Sequence, residues 1–202
     1  EPMLAAHPQW PKKYRFLKYD FTSPLWISSM TGGTEEAKSI NKNLALACEE
    51  FGLGMGLGSC RPLLESDQRL SDFSIKKYMP SRPLFSNFGI AQLEKCLVAN
   101  QVSRLAEVTK RLEADGIIIH VNPLQEWFQP EGDRYFTAPI ETLKKFRDFC
   151  PGKLIVKEVG QGMGPKSIEA LIAIGVDAIE FAAFGGTNFT KLEQQRSGLG
   201  DN

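Results

Sequence analysis

Six short runs of this chain, at residues 24–29, 52–58, 83–88, 116–121, 153–159 and 178–182, are close to continuously apolar. A strand with one wet face alternates apolar and polar side chains, whereas a run without alternation belongs to a strand covered on both faces. No other feature limits the fold as much. Between the runs lie amphipathic helical patterns at residues 34–51, about 92–113, 139–149 and 165–174. Thr34 followed by Glu35 and Glu36 suits a helix start, and Gly52 just past the same pattern suits a C-terminal cap. The stretches LEADG (residues 112–116) and AIGVD (residues 173–177) repeat one helix-to-strand punctuation.

Strand starts recur about every 25–35 residues, the size of one βα unit. Six such units predict an α/β fold with a parallel sheet, either doubly wound or a TIM (β/α)8-barrel. A complete barrel takes roughly 250 residues. This chain has 202 and ends, after its sixth strand, in the polar stretch EQQRSGLGDN. The expectation is therefore an open sheet, or an incomplete barrel of about six βα units. No linker or shift in composition divides residues 1–202, which are read as one domain.

Charge and cysteine content narrow the class. With 24 basic and 24 acidic side chains, the chain lacks the basic excess of a nucleic-acid or anionic-membrane surface. No apolar stretch approaches the roughly 20 residues of a membrane span, and the opening EPMLAAHPQWPKKYRF is not laid out as a secretory signal. Cys48, Cys60, Cys96 and Cys150 show no C-x-x-C spacing and read as reduced thiols of a cytoplasmic protein. Two histidines are too few for a histidine-rich metal site.

Polar residues and glycines gather at the carboxyl ends of the six runs: SSMTGG, GLGSCR, SNFG, HVNPLQE, KEVGQG and FGGTNF. Ligands of parallel α/β folds bind at that edge. Any single one of these motifs is explained by turn formation; their convergence is the signal. GMGLGS and GQGMG lack the G-x-G-x-x-G spacing of a dinucleotide site. Lys157 interrupts an apolar strand, which requires either a carboxylate partner such as Glu158 or Glu180, or an anionic ligand. His120, Asn122, Gln125 and Glu126 crowd one strand end, where they either tie down a loop or face a polar substrate. Glu126 alone is weak support for a metal ligand or a general acid/base, and Arg61 suits either phosphate or the bare surface.

The segments SSMTGGTEEAKSINKNLA, GLGSCR, HVNPLQEWFQPEGD, KEVGQGM and FGGTNF, in this order from about Pro24 to Glu193, resemble the type 2 isopentenyl-diphosphate isomerases. M-T-G-G and H-x-N-P-x-Q-E are the specific pieces. The resemblance implies an FMN-dependent TIM-barrel enzyme that turns isopentenyl diphosphate into dimethylallyl diphosphate by an allylic proton shift, with reduced FMN, Mg²⁺, and NADPH as the reductant. By position, Ser29, Met30, Thr31, Ser59, Asn87, Lys157 and Thr187 resemble flavin contacts. Ser59, Cys60 and Arg61 resemble the family's S-Q-R substrate segment, with cysteine in place of glutamine. His120, Asn122 and Gln125 resemble substrate contacts, His120 and Gln125 being the catalytic candidates, and Glu126 resembles the carboxylate that holds Mg²⁺.

The family's basic R-K-x-x-H segment is not found before Pro24, nor are its last two βα units with their flavin-phosphate loops, so this chain is expected to hold flavin poorly. Exposed edge strands lead to the expectation of a homo-oligomer. Two other readings stand beside the isomerase: a non-catalytic partial barrel that binds phosphate or flavin, and an FMN-dependent oxidoreductase of the hydroxyacid-oxidising barrel group. The H-x-N-P-x-Q-E stretch favours the isomerase.

Overall fold

The computed structural model describes residues 13–32, 34–183 and 186–198. Gly33 of SSMTGG, Phe184 and Gly185 of FGGTNF, and the last four residues of the polar stretch lie outside them.

The described residues open with an antiparallel hairpin, β1 (Tyr14–Phe16) and β2 (Tyr19–Phe21). Its two-residue turn holds Leu17 and Lys18 at φ 50° and 73°, as a primed hairpin turn requires, without the glycine or asparagine that usually signals one. β3 (Trp26–Ile27) leads to α1 (Glu35–Phe51), where the Thr34 hydroxyl accepts from the Ala37 amide at 3.2 Å and Gly52 closes the helix at φ 69°. β4 (Gly54–Gly56) and a loop carrying the short α2 (Leu70–Phe73) follow.

β5 (Leu84–Gly89) precedes a pair of helices, α3 (Ile90–Val98) and α4 (Ser103–Arg111). The one helix read at about residues 92–113 is thus two. Asn100 adopts φ 54°, a left-handed conformation that asparagine tolerates, and it breaks the chain direction where the amphipathic pattern runs on. β6 (Gly116–His120), α5 (Pro123–Phe128) and α6 (Pro139–Arg147) come next. β7 (Lys153–Lys157), α7 (Pro165–Ala173) and β8 (Ala178–Glu180) complete the series. The polar stretch after the sixth run is not a bare tail: α8 (Phe189–Arg196) runs into it, capped by the Asn188 side chain, which accepts from the Lys191 amide at 3.1 Å.

β3 to β8 form one parallel sheet in sequence order, β3-β4-β5-β6-β7-β8. The order never reverses, so the doubly wound alternative is excluded and the sheet is a curled, incomplete barrel. Its convex side packs Leu84, Phe88, Ile117, Ile119, Leu154 and Val156 under helix residues such as Leu93, Leu105 and Phe146. Its concave side holds a second cluster, Phe85, Ile118 and Ile155 with Leu17, Trp26 and Ala178. Burial on both sides is the reason these strands lack alternation in sequence.

The hairpin packs against the concave cluster. Trp26 meets Phe16, Phe21 and Phe85 at ring-centroid distances of 6.0, 6.3 and 5.6 Å; such aromatic pairs contribute about 0.5–1.5 kcal/mol each beyond their buried area. Gly54, the register partner of Trp26, leaves the indole its space, since a Cβ there would fall 2.2 Å from the ring. Tyr19 donates to Asp115 Oδ1 at 2.8 Å. The repeated punctuation has a shared job: Asp115 Oδ2 accepts from the Leu84 amide, and Asp177 Oδ2 from the Leu154 amide, each at 2.9 Å. Each aspartate locks the start of one strand to the start of its neighbour.

Candidate functional site

Sheet register builds the site. Gly89, His120, Lys157 and Glu180 are partners in one row across four adjacent strands, one step above the row Asn87, Ile118, Ile155 and Ala178. Side chains of a row stand on the same face, and Ile118, Ile155 and Ala178 belong to the concave cluster. The polar row therefore rims the concave side at the carboxyl ends of the strands.

Ser29, Met30, Ser59, Asn87, His120, Gln125 and Lys157 line one cavity of about 150 Å³, together with Val159 and Phe189. Five strand ends and α8 contribute to it. The volume is below the roughly 300 Å³ at which complete ligand pockets begin. A larger groove of about 520 Å³ lies among α5, α6 and α7, walled by residues such as Leu143, Val156 and Leu171. It includes neither His120 nor Lys157 and is a gap between helices.

Within the small cavity the polar groups have distinct states. His120 Nδ1 lies 2.9 Å from Asn87 Oδ1. Burial, and secondarily the Lys157 charge, push the imidazole down to about 4, so it is neutral near pH 7. Lys157 is only 5% exposed; its Nζ donates to the Glu158 carbonyl at 2.8 Å and sits 3.6 Å from Glu180 Oε1. Of the two carboxylates the sequence offers as partners, Glu158 is engaged elsewhere: its Oε2 accepts from the amides of Gly160, Gln161 and Gly162 at 2.7, 2.6 and 3.0 Å. Ser29 is 7% exposed and its Oγ has no hydrogen-bond partner among the described residues. The missing Cβ at Gly56 leaves that hydroxyl its space, since one there would fall 2.3 Å from it.

The other sequence candidates stand outside this cavity. Thr31 Oγ1 donates to Asn41 Oδ1 on α1. Thr187 is exposed and lines an adjoining cleft with Gly160, Asn188 and Lys191. Cys60 is fully buried in the convex core, its Sγ 3.6 Å from the Gly58 carbonyl and its thiol pushed up to about 12 by burial. Arg61 lies 3.6 Å from Asp133 Oδ2, an aspartate that also accepts from Lys95 at 2.6 Å. Asn122 is buried, donating from Nδ2 to Gln125 Oε1 at 3.1 Å and to Glu126 Oε1 at 3.0 Å.

Glu126 accepts that bond on one oxygen and the Asp133 amide on the other at 2.7 Å, so its carboxylate ties α5 to the following loop. Among the described residues no three His, Cys, Asp or Glu side chains group as a cation site. The residues present fit the polar edge of a ring; they do not by themselves fit a magnesium ion. Sequence reasoning missed Val159 and Phe189. Phe189 closes the FGGTNF stretch, read only as the polar end of the sixth strand, and its signal was the apolar residue directly after the capping Asn188.

No protein-family model matches the chain. It is 42% identical over 182 residues to the isopentenyl-diphosphate delta-isomerase of Nostoc sp., covering 90% of this chain and 51% of that protein. Against the isopentenyl-diphosphate delta-isomerase of Borrelia garinii it is 39% identical over 185 residues, covering 92% and 51%. The chain spans about half the length of the curated relatives it matches. Among solved structures, the old yellow enzyme homologue from Zymomonas mobilis superposes with a TM-score of 0.51 at 12% identity, covering 96% of this chain and 87% of that one. That likeness is one of fold, the barrel.

Proposed function

We propose that this chain is part of an FMN-dependent, type 2 isopentenyl-diphosphate isomerase. It would convert isopentenyl diphosphate into dimethylallyl diphosphate by protonating the double bond and removing a proton from the neighbouring carbon. The observation that carries the reading is the meeting of Ser29, Ser59, Asn87, His120, Gln125 and Lys157, from five strand ends, around one cavity. The identity to proteins named as isomerases supports the same reading.

Reduced FMN, when bound, supplies the acid/base group of the proton shift, and NADPH is the proposed reductant. The chain's own residues bind and orient. Lys157 brings a buried positive charge to the cavity wall, where it favours an anionic ring. Ser29 lines the same cavity wall. Asn122 occupies Gln125 Oε1, which leaves the Gln125 amide NH₂ to point at substrate; an amide cannot itself deprotonate carbon, so Gln125 orients. Val159 and Phe189 close the cavity with apolar surface. No step is assigned to magnesium: Glu126 would have to give up Asn122 or the Asp133 amide to bind it directly. Thr31, Thr187 and Arg61 remain candidates for contacts made with the whole ligand, whereas Cys60, buried in the convex core, does not.

A homo-oligomer is part of the proposal. β3 and β8 are the sheet edges among the described residues, and open edges recruit further chains.

The test is turnover of isopentenyl diphosphate by the protein at its natural length, with FMN either reduced or oxidised. Dimethylallyl diphosphate formed only with reduced FMN supports the reading. Bound FMN without product assigns a non-catalytic binding role, and FMN-dependent oxidation of a hydroxyacid assigns the oxidoreductase.

A further inference from the structure

The reading above gives Glu180 no role, yet the fold directs it at Lys157. The two are register partners on β7 and β8, with Glu180 Oε1 3.6 Å from Lys157 Nζ. From the opposite edge strand region, Ser28 Oγ donates to the same Glu180 Oε1. We propose that Glu180 is a positioning residue: it is the counter-charge that keeps the Lys157 ammonium charged and fixed at the cavity wall, and Ser28 fixes Glu180 in turn.

A cation as buried as Lys157 is costly without an opposite charge. The groups facing it from each packed element are few. On β6, His120 is neutral near pH 7 and brings no negative charge. On its own strand end, Glu158 gives Lys157 only a main-chain carbonyl, because its carboxylate is held by three backbone amides. On the β3 side, Ser28 is uncharged. Among the described residues Glu180 is the remaining anion, and at 3.6 Å it balances the charge without taking up a short hydrogen bond, so ammonium protons stay available to a ligand. Its side chain is 26% exposed against 6% for Lys157, so without Ser28 it would be free to turn to water.

This inference rests on the reading that Lys157 faces the flavin, but its test does not need flavin. The titration of Lys157 is followed in the whole protein, without FMN, by brief acetic anhydride labelling across pH 7 to 11 and peptide mass spectrometry. The variants are Glu180→Gln, Glu180→Asp and Ser28→Ala, with far-ultraviolet circular dichroism as the folding control. Losing a close opposite charge shifts a lysine by about one unit or more. Glu180→Gln is therefore expected to move the Lys157 midpoint down by about that amount, roughly a tenfold change in proton affinity. Glu180→Asp restores part of the shift, and Ser28→Ala moves it a smaller step the same way. A wild-type midpoint in Glu180→Gln overturns the proposal. If that variant does not fold, an unchanged midpoint in both Glu180→Asp and Ser28→Ala overturns it instead. FMN dialysis on the same samples separates the two claims: shifted midpoints in a protein that binds no FMN sink the flavin reading and leave the ion pair standing.

Discussion

His120 Nδ1 and Asn87 Oδ1 lie 2.9 Å apart on adjacent strands. With the Asn87 oxygen in that place it can only accept, so the imidazole carries its proton on Nδ1 and keeps Nε2 as an acceptor. The ring is held neutral by burial first and by Lys157 second, its midpoint lowered from 6.5 to about 4. A depressed histidine contributes stability that is present above its unfolded midpoint and lost as pH falls. Between about pH 6.5 and 4 the unfolded chain takes up a proton that the folded chain refuses, at up to about 1.4 kcal/mol per pH unit, less whatever water in the cavity screens. Urea unfolding at pH 7 and pH 4.5 checks this. The stability loss on acidification should be smaller in His120→Asn than in the wild type.

Gly58 lies where two loops cross. Its amide donates to the Thr31 carbonyl at 2.8 Å, and a Cβ would fall 2.2 Å from that same oxygen and 2.8 Å from the Gly32 nitrogen. Backbone on both sides cannot swing away as a side-chain tip would. Gly58→Ala should destabilise by about 1–3 kcal/mol and displace Ser29 and Ser59 from the cavity. Thermal unfolding and FMN retention would both fall.

Glu126 joins Asn122 on α5 to the Asp133 amide, and with it the loop that carries Arg61's partner. Glu126→Gln keeps one acceptor and turns an NH₂ toward one of two donors. A buried donor left unpaired costs about 1–3 kcal/mol, so the melting temperature should drop by several degrees. Magnesium does not restore it if the carboxylate's job is the loop. Recovery of turnover by added magnesium, with the melting temperature still low, would give Glu126 a metal as well.

Gln125→Asn withdraws the amide by one methylene, on the order of 1 Å, and displacement of that size can cost about a hundredfold in rate. The variant should lose kcat with KM nearly unchanged, since Asn122 no longer meets the amide oxygen that it holds at 3.1 Å in the wild type. A raised KM with normal kcat would reassign Gln125 to ground-state binding.

Much of this architecture is legible in the sequence because burial on two faces leaves its mark on each strand separately. Ile117, Ile118 and Ile119 read as a covered strand whatever packs on them. The cap at Thr34 and the left-handed Gly52 are equally local. What escapes is set by distant partners. Leu17 and Lys18 carry no turn signal, and the hairpin forms because Phe16 and Phe21 meet Trp26. Cys60 stands next to Ser59 in the chain, yet it faces the core while Ser59 faces the cavity. Motif position assigns neighbours together; strand-end geometry separates them. The split between α3 and α4 escapes for another reason, because the amphipathic pattern survives the break at Asn100.

The central claim is that the polar row at the strand ends forms a flavin site in which Lys157 supplies the charge. Equilibrium dialysis of FMN against the protein at its natural length, wild type beside Lys157→Ala, tests it most directly. Losing one desolvated charge-assisted contact costs about 1.5–3 kcal/mol, so affinity should fall roughly ten- to hundredfold while the fold is kept. Equal affinity in the two proteins would contradict the account and leave Lys157 as no more than the ion-pair partner of Glu180.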